Sequence, residues 1–142
     1  MSGTNRETAT TGVLTAAISN SMVSLLHRYT GRGPTKARTT IGDNVIVCVM
    51  AATLTKGERS LVEGGKAEVV LHSRRAFQDT MKADAITAVQ ELSGRQVVAF
   101  MSNNHVDPDL AVEVFILEPL VRDSLEDELG DGGGPYGGRR PD

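Results

Sequence analysis

Residues 34–52 read PTKARTTIGDNVIVCVMAA, and the way this stretch divides decides the fold. In an extended chain successive side chains point to opposite faces, so Lys36, Arg38 and Thr40 share one face and Ala37, Thr39 and Ile41 the other. Gly42, Asp43 and Asn44 are turn residues. The run VIVCVMAA that follows is apolar on both faces and rich in β-branched side chains, which suits a strand covered on both sides. The segment is therefore a hairpin whose second strand needs two apolar partners.

Working outward, the residues before the hairpin have one helical stripe. Val13 or Leu14, Ile18, Met22, Leu25 or Leu26 and Tyr29 recur at intervals of three and four. Gly31 stops that helix, because glycine takes the left-handed conformation at little cost. After the hairpin, Thr55 and Glu58 form a capping box that opens a short helix over about 56–63, and Gly64 and Gly65 break it. From Lys66 to about Ser93 a long helix is predicted, with Val70, Phe77, Met81, Ala85, Ala88 or Val89 and Leu92 on one stripe. Its length is about 40 Å at 1.5 Å per residue. Gly94 ends it, and RQVVAFMSNNHV and LAVEVFILE then form a second hairpin around DPDL, where Pro108 fixes φ at the second turn position. TGR at 30–32 and SGR at 93–95 precede the two hairpins at the same place, which suggests an internal repeat.

The order helix, hairpin, helices, hairpin defines an α+β two-layer sandwich: a four-stranded, mainly antiparallel sheet with helices on one face. Alternation in the last strand puts Val112, Val114 and Ile116 on one face and Phe115 and Leu117 on the other. The chain's own helices can cover only one of these faces, so a homodimer through the second is predicted.

A chain of 142 residues fits one domain with a substantial core. Residues 1–11 are expected to be a flexible lead, 12–121 the domain, and 122–142 a disordered, acidic and glycine-rich tail with too few apolar residues to offset the entropy of ordering. Residues 1–121 hold 12 Lys/Arg and 12 Asp/Glu, and the tail holds 3 against 6, which accounts for the net charge of -3. A neutral domain gives no strong nucleic-acid signal. The lone Cys48, the absence of a signal-peptide pattern and the lack of a run of ~20 apolar residues lead to the expectation of a cytoplasmic protein, peripheral to the membrane's inner face if it meets one.

No nucleophile constellation stands out, and an enzyme is not expected. Cys48 lies in a buried strand as core filler, and His27, His72 and His105 match no metal-ligand spacing, so neither metal nor cofactor is expected. Asp107 and Asp109 flank a turn proline, where turn chemistry explains them. The candidate site is the corner GRGP, with Gly31, Arg32, Gly33 and Pro34, to which Arg28, Lys36 and Arg38 add charge. Consecutive backbone N–H groups there could cradle an anion, although a helix C-terminus disfavours one. The alternative is a joint between helix and strand. A second basic pair, Arg74 and Arg75, lies on the long helix, where one of the two is expected to face solvent.

As an ordered set, YTGRGPTKARTTIGDNVIVCVMAATLTKGERSL, SRRAF and ELSGRQVVAFMSNNHVDPDLAVEVFILE resemble the MpsC-like, or YbcI-like, family of small bacterial proteins, over residues 12–118. One departure is that AAT at 51–53 lacks a glycine expected just before LT. The family is named for a sodium-translocating, membrane-potential-generating system. The resemblance implies a soluble, non-catalytic accessory or regulatory protein of a membrane cation or inorganic-carbon transport system, in peripheral contact with a membrane complex. The alternatives are a small-anion or nucleotide sensor or enzyme built on the GRGP corner, and an RNA-binding module, which the shortage of aromatic residues on the sheet disfavours.

Overall fold

The computed structural model describes residues 2–34 and 36–118, with side chains from residue 11 onward. Its elements are α1 (Ser2–Thr30), β1 (Lys36–Ile41), β2 (Val45–Ala51), α2 (Lys56–Glu63), α3 (Ala67–Ser93), β3 (Val97–His105) and β4 (Leu110–Leu117). The expected α+β architecture is present. Helix α1 begins at Ser2, whereas its apolar spacing starts only near residue 12, inside the lead of 1–11 expected to be flexible. Once a helix is nucleated, each added residue gains one hydrogen bond, so propagation needs no apolar stripe. The expected domain end at 121 and the tail of 122–142 lie outside the described residues.

The strands form one sheet in the order β1-β2-β4-β3, antiparallel throughout. Each hairpin forms half of it, and the halves meet between β2 and β4, where Val47 opposes Val114. Because cross-strand partners share a face, the register sorts the side chains into two sets. Ala37, Met50 and Ala111 lie on one face with Thr39, Cys48 and Glu113, and with Ile41, Ile46 and Phe115. This is the helix-covered face. Ile18, Met22, Leu25 and Leu26 of α1 and Met81, Ala85 and Val89 of α3 pack there into a single core with Ile46, Met50, Phe115 and Leu117. Phe100 leans on Phe115 with ring centroids 5.0 Å apart, and the hydroxyls of Ser19 and Thr39 join α1 to β1 at 2.7 Å. Leu92, expected on the core stripe, is exposed, since the last turn of α3 carries it away from the sheet.

The TGR and SGR corners are structurally equivalent. Gly31 and Gly94 both take positive φ, +82° and +68°. In each corner the preceding hydroxyl, Thr30 or Ser93, accepts from the arginine's backbone N–H at 3.4 and 3.2 Å. Each arginine then donates its Nε to the carbonyl just past the second strand of its own hairpin: Arg32 to Ala52 at 3.2 Å and Arg95 to Glu118 at 3.4 Å. The repeat is thus a unit of helix, left-handed glycine, arginine clasp and hairpin. In the second hairpin the Asp107–Pro108 peptide is cis.

Glycine substitutions separate conformation from space, because an added Cβ meets no heavy atom within 4 Å at Gly12 or Gly31. Gly31→Ala should cost about 1 kcal/mol, since alanine resists the left-handed region. Gly12→Ala, inside α1, should gain about 0.5–1 kcal/mol. Denaturant unfolding of the two variants measures both, and opposite signs are expected.

Candidate functional site

The GRGP corner serves as a joint. The Gly31 N–H donates to the His27 carbonyl at 2.8 Å and the Arg32 N–H to Thr30 Oγ1, so two of the three amides of the supposed cradle are engaged within the chain. Gly33 passes close over α1, where a Cβ would meet Val23 Cγ1 at 3.4 Å and His27 Cβ at 3.6 Å. Pro34 is buried. Two glycines and a proline are therefore explained by a chain that reverses tightly against its own helix, and Arg32 by the Ala52 carbonyl that it clasps.

The other predicted cations do not converge on this corner. Arg28 pairs with Asp84 Oδ2 of α3 at 3.0 Å, and the Tyr29 hydroxyl donates to the same oxygen at 2.7 Å. Lys36 and Arg38 stand on the sheet face away from the helices, opposite Ala51 and Val49. Arg75 is exposed, as one of the two helix arginines was expected to be. Arg74 is buried at 1 % exposure within the core-facing stripe.

Arg74 belongs to a polar strap that the sequence reading did not assemble. Its Nη2 donates to the Thr53 carbonyl at 2.6 Å, and its guanidinium pairs with both oxygens of Glu58. Glu58 in turn accepts from the Thr55 N–H at 2.8 Å, completing the capping box of α2. Burial raises the Glu58 pKa, but the Arg74 hydrogen bonds and the Thr55 amide outweigh it and hold the carboxyl below its ordinary value. From the other side, Asp109 accepts from Thr53 N at 2.9 Å, Thr53 Oγ1 at 3.0 Å and Leu54 N at 3.0 Å. Asp109 thus ties two hairpins together, whereas the sequence suggested only a turn role. Between these fastenings Ala52 is held at φ 58°, in the segment where the family resemblance expects glycine.

Among the described residues no helix covers the sheet's second face. Val45, Val47, Val49 and Ala51 of β2 share it with Leu110, Val112, Val114 and Ile116 of β4 and with Ala99 and Met101 of β3. Met101 is 53 % exposed, Val49 42 % and Leu110 37 %. Lys36, Arg38 and Thr40 border this apolar field on the β1 edge, and Asn103 and His105 on the β3 edge. Nothing acidic points outward from this face among the described residues. Among the described residues this apolar face is left uncovered, and contiguous exposed apolar patches often mark interaction sites.

One buried acid stands apart. Glu113 lies on the helix-covered face at 5 % exposure, between Cys48 of β2 and Ser102 of β3. Burial pushes its pKa up to about 7. Its Oε2 and the Ser102 Oγ make no hydrogen bond among the described residues. Burial likewise pushes the Cys48 thiol up, with the Glu113 charge adding to the effect. The signal for Glu113 was present in the sequence, since alternation in AVEVFIL puts it on the side of Phe115. Similarly, Arg74 falls four residues after Val70, on the stripe that faces the core.

Together these features define a small α+β domain of two helix-and-hairpin units with an open, basic-edged sheet face. Residues 10–119 match the family described as "Na+-translocating membrane potential-generating system (MpsC)", and the chain belongs to that family. A curated relative is "Uncharacterized protein YrhF" of Bacillus subtilis (strain 168), 22 % identical over 98 residues, which make up 68 % of this chain and 80 % of that protein. No solved structure matches.

Arg74→Ala should cost about 3–5 kcal/mol, because it leaves Glu58 without its cation in a partly buried setting. Arg75→Ala should stay within about 0.5 kcal/mol. Chemical denaturation distinguishes the two arginines, and similar costs would contradict the strap. For Glu113, the folded-state pKa lies above the unfolded value, so the native state binds more protons between them. Stability should therefore fall as pH rises from about 4.5 to 7, by up to ~3 kcal/mol at 1.36 kcal/mol per pKa unit. In Glu113→Gln this slope should disappear, as thermal unfolding across that range would show.

Proposed function

We propose that this protein is a non-catalytic accessory or regulatory component of a membrane ion-transport system, and that it works by contact through its open sheet face. The description of its family supports the link to sodium translocation and membrane potential. Among the described residues no helix is long and apolar enough to cross a membrane, so in this reading the described part of the chain binds a membrane component instead of spanning the bilayer. The observation that carries the proposal is the apolar field of β2, β4 and β3, whose central positions are occupied by Val47, Val112 and Val114. The non-catalytic reading is supported by how the polar groups are used, because Arg32, Glu58, Arg74 and Asp109 are all engaged in fastening the chain to itself.

The same face is proposed to hold a second copy of the chain as a homodimer. Burying Val49, Met101 and Leu110 removes apolar area from water at about 25 cal/mol per Å2. Sedimentation at micromolar concentration should give twice the 15.1 kDa chain mass. Val49→Asp should return it to a monomer with unchanged helical circular dichroism, and in cell fractionation it should release the chain from the membrane fraction. A wild-type protein that stays monomeric throughout would refute the dimer, and membrane association indifferent to Val49→Asp would refute contact through this face.

A further inference from the structure

We propose that one end of the open sheet face binds a single-tailed anionic amphiphile, a fatty-acid carboxylate being the simplest, with its head on Lys36 and Arg38 and its tail lying across the strands. Shape, charge and an apolar floor carry the site. Its consequence, that the ligand displaces a second copy, rests on the reading of that face as a contact surface.

Two hollows, of about 650 and 300 Å3, open on this face and share Val49 as a wall. The first is bounded by Lys36, Arg38 and Ala51, and the second by Leu110, Asn103 and His105. Their position follows from two neighbouring cross-strand rows: Lys36, Ala51, Leu110 and His105 form one, and Arg38, Val49, Val112 and Asn103 form the next. Such rows lie ~7 Å apart along the strands, and the three strand spacings from β1 to β3 add up to ~14 Å. The hollows therefore join into a trough that runs across the sheet and has room for one extended chain. Ala51 carries only a methyl group, which keeps the middle of its row low. An apolar lining with a few fixed polar groups is the usual make-up of a small-molecule site.

Charge gives the trough a direction. Arg28 and Arg74 are paired with Asp84 and Glu58, and Arg32 and Arg95 are used on carbonyls. Lys36 and Arg38 have no carboxylate partner among the described residues, and both are exposed. They stand two residues apart on the same face of β1, so an arginine fork and a lysine charge can meet on one carboxylate. The far end holds no such pair: the Asn104 N–H donates to Asn103 Oδ1 at 2.9 Å, and His105 Nδ1–H donates to the Pro108 carbonyl at 2.7 Å. Between the ends lie Ala51, Val49, Leu110 and Val112. An anionic head therefore belongs at β1, with an apolar tail pointing to β3. A bilayer surface fits less well, because it would press Asn103 and His105 into lipid along with the valines, whereas a single tail ends at them. The tail covers Val49 and Leu110, which a second copy is proposed to cover, so the two occupants compete.

The test titrates decanoate into the full chain below the micelle concentration and follows the Ala51 and Leu110 methyl signals by NMR, with decyltrimethylammonium as the cationic control. Decanoate should shift both signals to saturation, and Lys36→Gln combined with Arg38→Gln should weaken its binding by about tenfold or more. Equal shifts from decyltrimethylammonium overturn the site, since an apolar tail alone would then suffice, and so does a decanoate affinity unchanged in the double variant. Binding to phosphatidylglycerol vesicles without any response to decanoate also overturns it, in favour of a lipid surface. Sedimentation equilibrium separates this site from the dimer, which decanoate should dissociate. A chain that is monomeric throughout yet shows the charge-dependent shifts loses the dimer and keeps the site. A dimer that persists in saturating decanoate keeps the site and overturns the competition.

Discussion

Asp109 holds the two halves of the molecule in register. Its carboxylate accepts from the Thr53 and Leu54 amides and the Thr53 hydroxyl, fastening the chain just beyond β2 to the residue just before β4. A hydrogen bond to a charged acceptor contributes about 1.5–3 kcal/mol, so three on one side chain are enough to fix a junction. Fixing this one matters because a slip of one residue between β2 and β4 would turn one hairpin's faces over relative to the other's. With β4 kept in place, Cys48 and Ile46 of β2 would turn outward and Val47 inward, so the apolar faces of the two hairpins would no longer match. On the opposite side of the same segment, Arg74 takes the Thr53 carbonyl and so sets α3 against the sheet. Ala52 takes the strained backbone conformation that these fastenings impose.

The buried and half-buried polar groups of this domain therefore divide by the work they do. Arg32 and Arg95 close their hairpins, and Arg74, Glu58 and Asp109 lock the junction. Glu113 has no such role: it lies under the sheet with its carboxyl pushed into the neutral range by burial. Folding carries its cost as a loss of stability at higher pH.

The elements and the two-layer architecture were legible in the sequence because they rest on local periodicity: four-residue spacing in the helices, alternation in LAVEVFILE, and glycine after each helix. The equivalence of TGR and SGR was legible as well, although its reason, an arginine reaching the far end of its own hairpin, joins residues twenty or more positions apart. The candidate site was much less legible. Grouping cations by nearness in sequence joined Arg28, Arg32, Lys36 and Arg38, which the fold sends to three different surfaces. Which of Arg74 and Arg75 faces solvent was left open, although Arg74 falls on the core stripe four residues after Val70. Asp109 was assigned to its own turn, since nothing local indicates the amides of Thr53 and Leu54.

What the sequence did indicate about function is a strand too apolar for a two-layer domain. The structure gives that excess a location, a valine-rich field bordered by Lys36 and Arg38 that no helix covers among the described residues. Membership of the MpsC family links the chain to a membrane ion system, and this field is the surface through which the proposed contacts are made. Site-directed cross-linking is the most direct test of that claim. In a Cys48→Ala background, a cysteine introduced at Val49 should form a covalent dimer on mild oxidation, and one at the exposed Glu91 on α3 should not. Cross-linking at Glu91 but not at Val49 would contradict the account, because it would move the interface to the helices and leave the open sheet face without its proposed role.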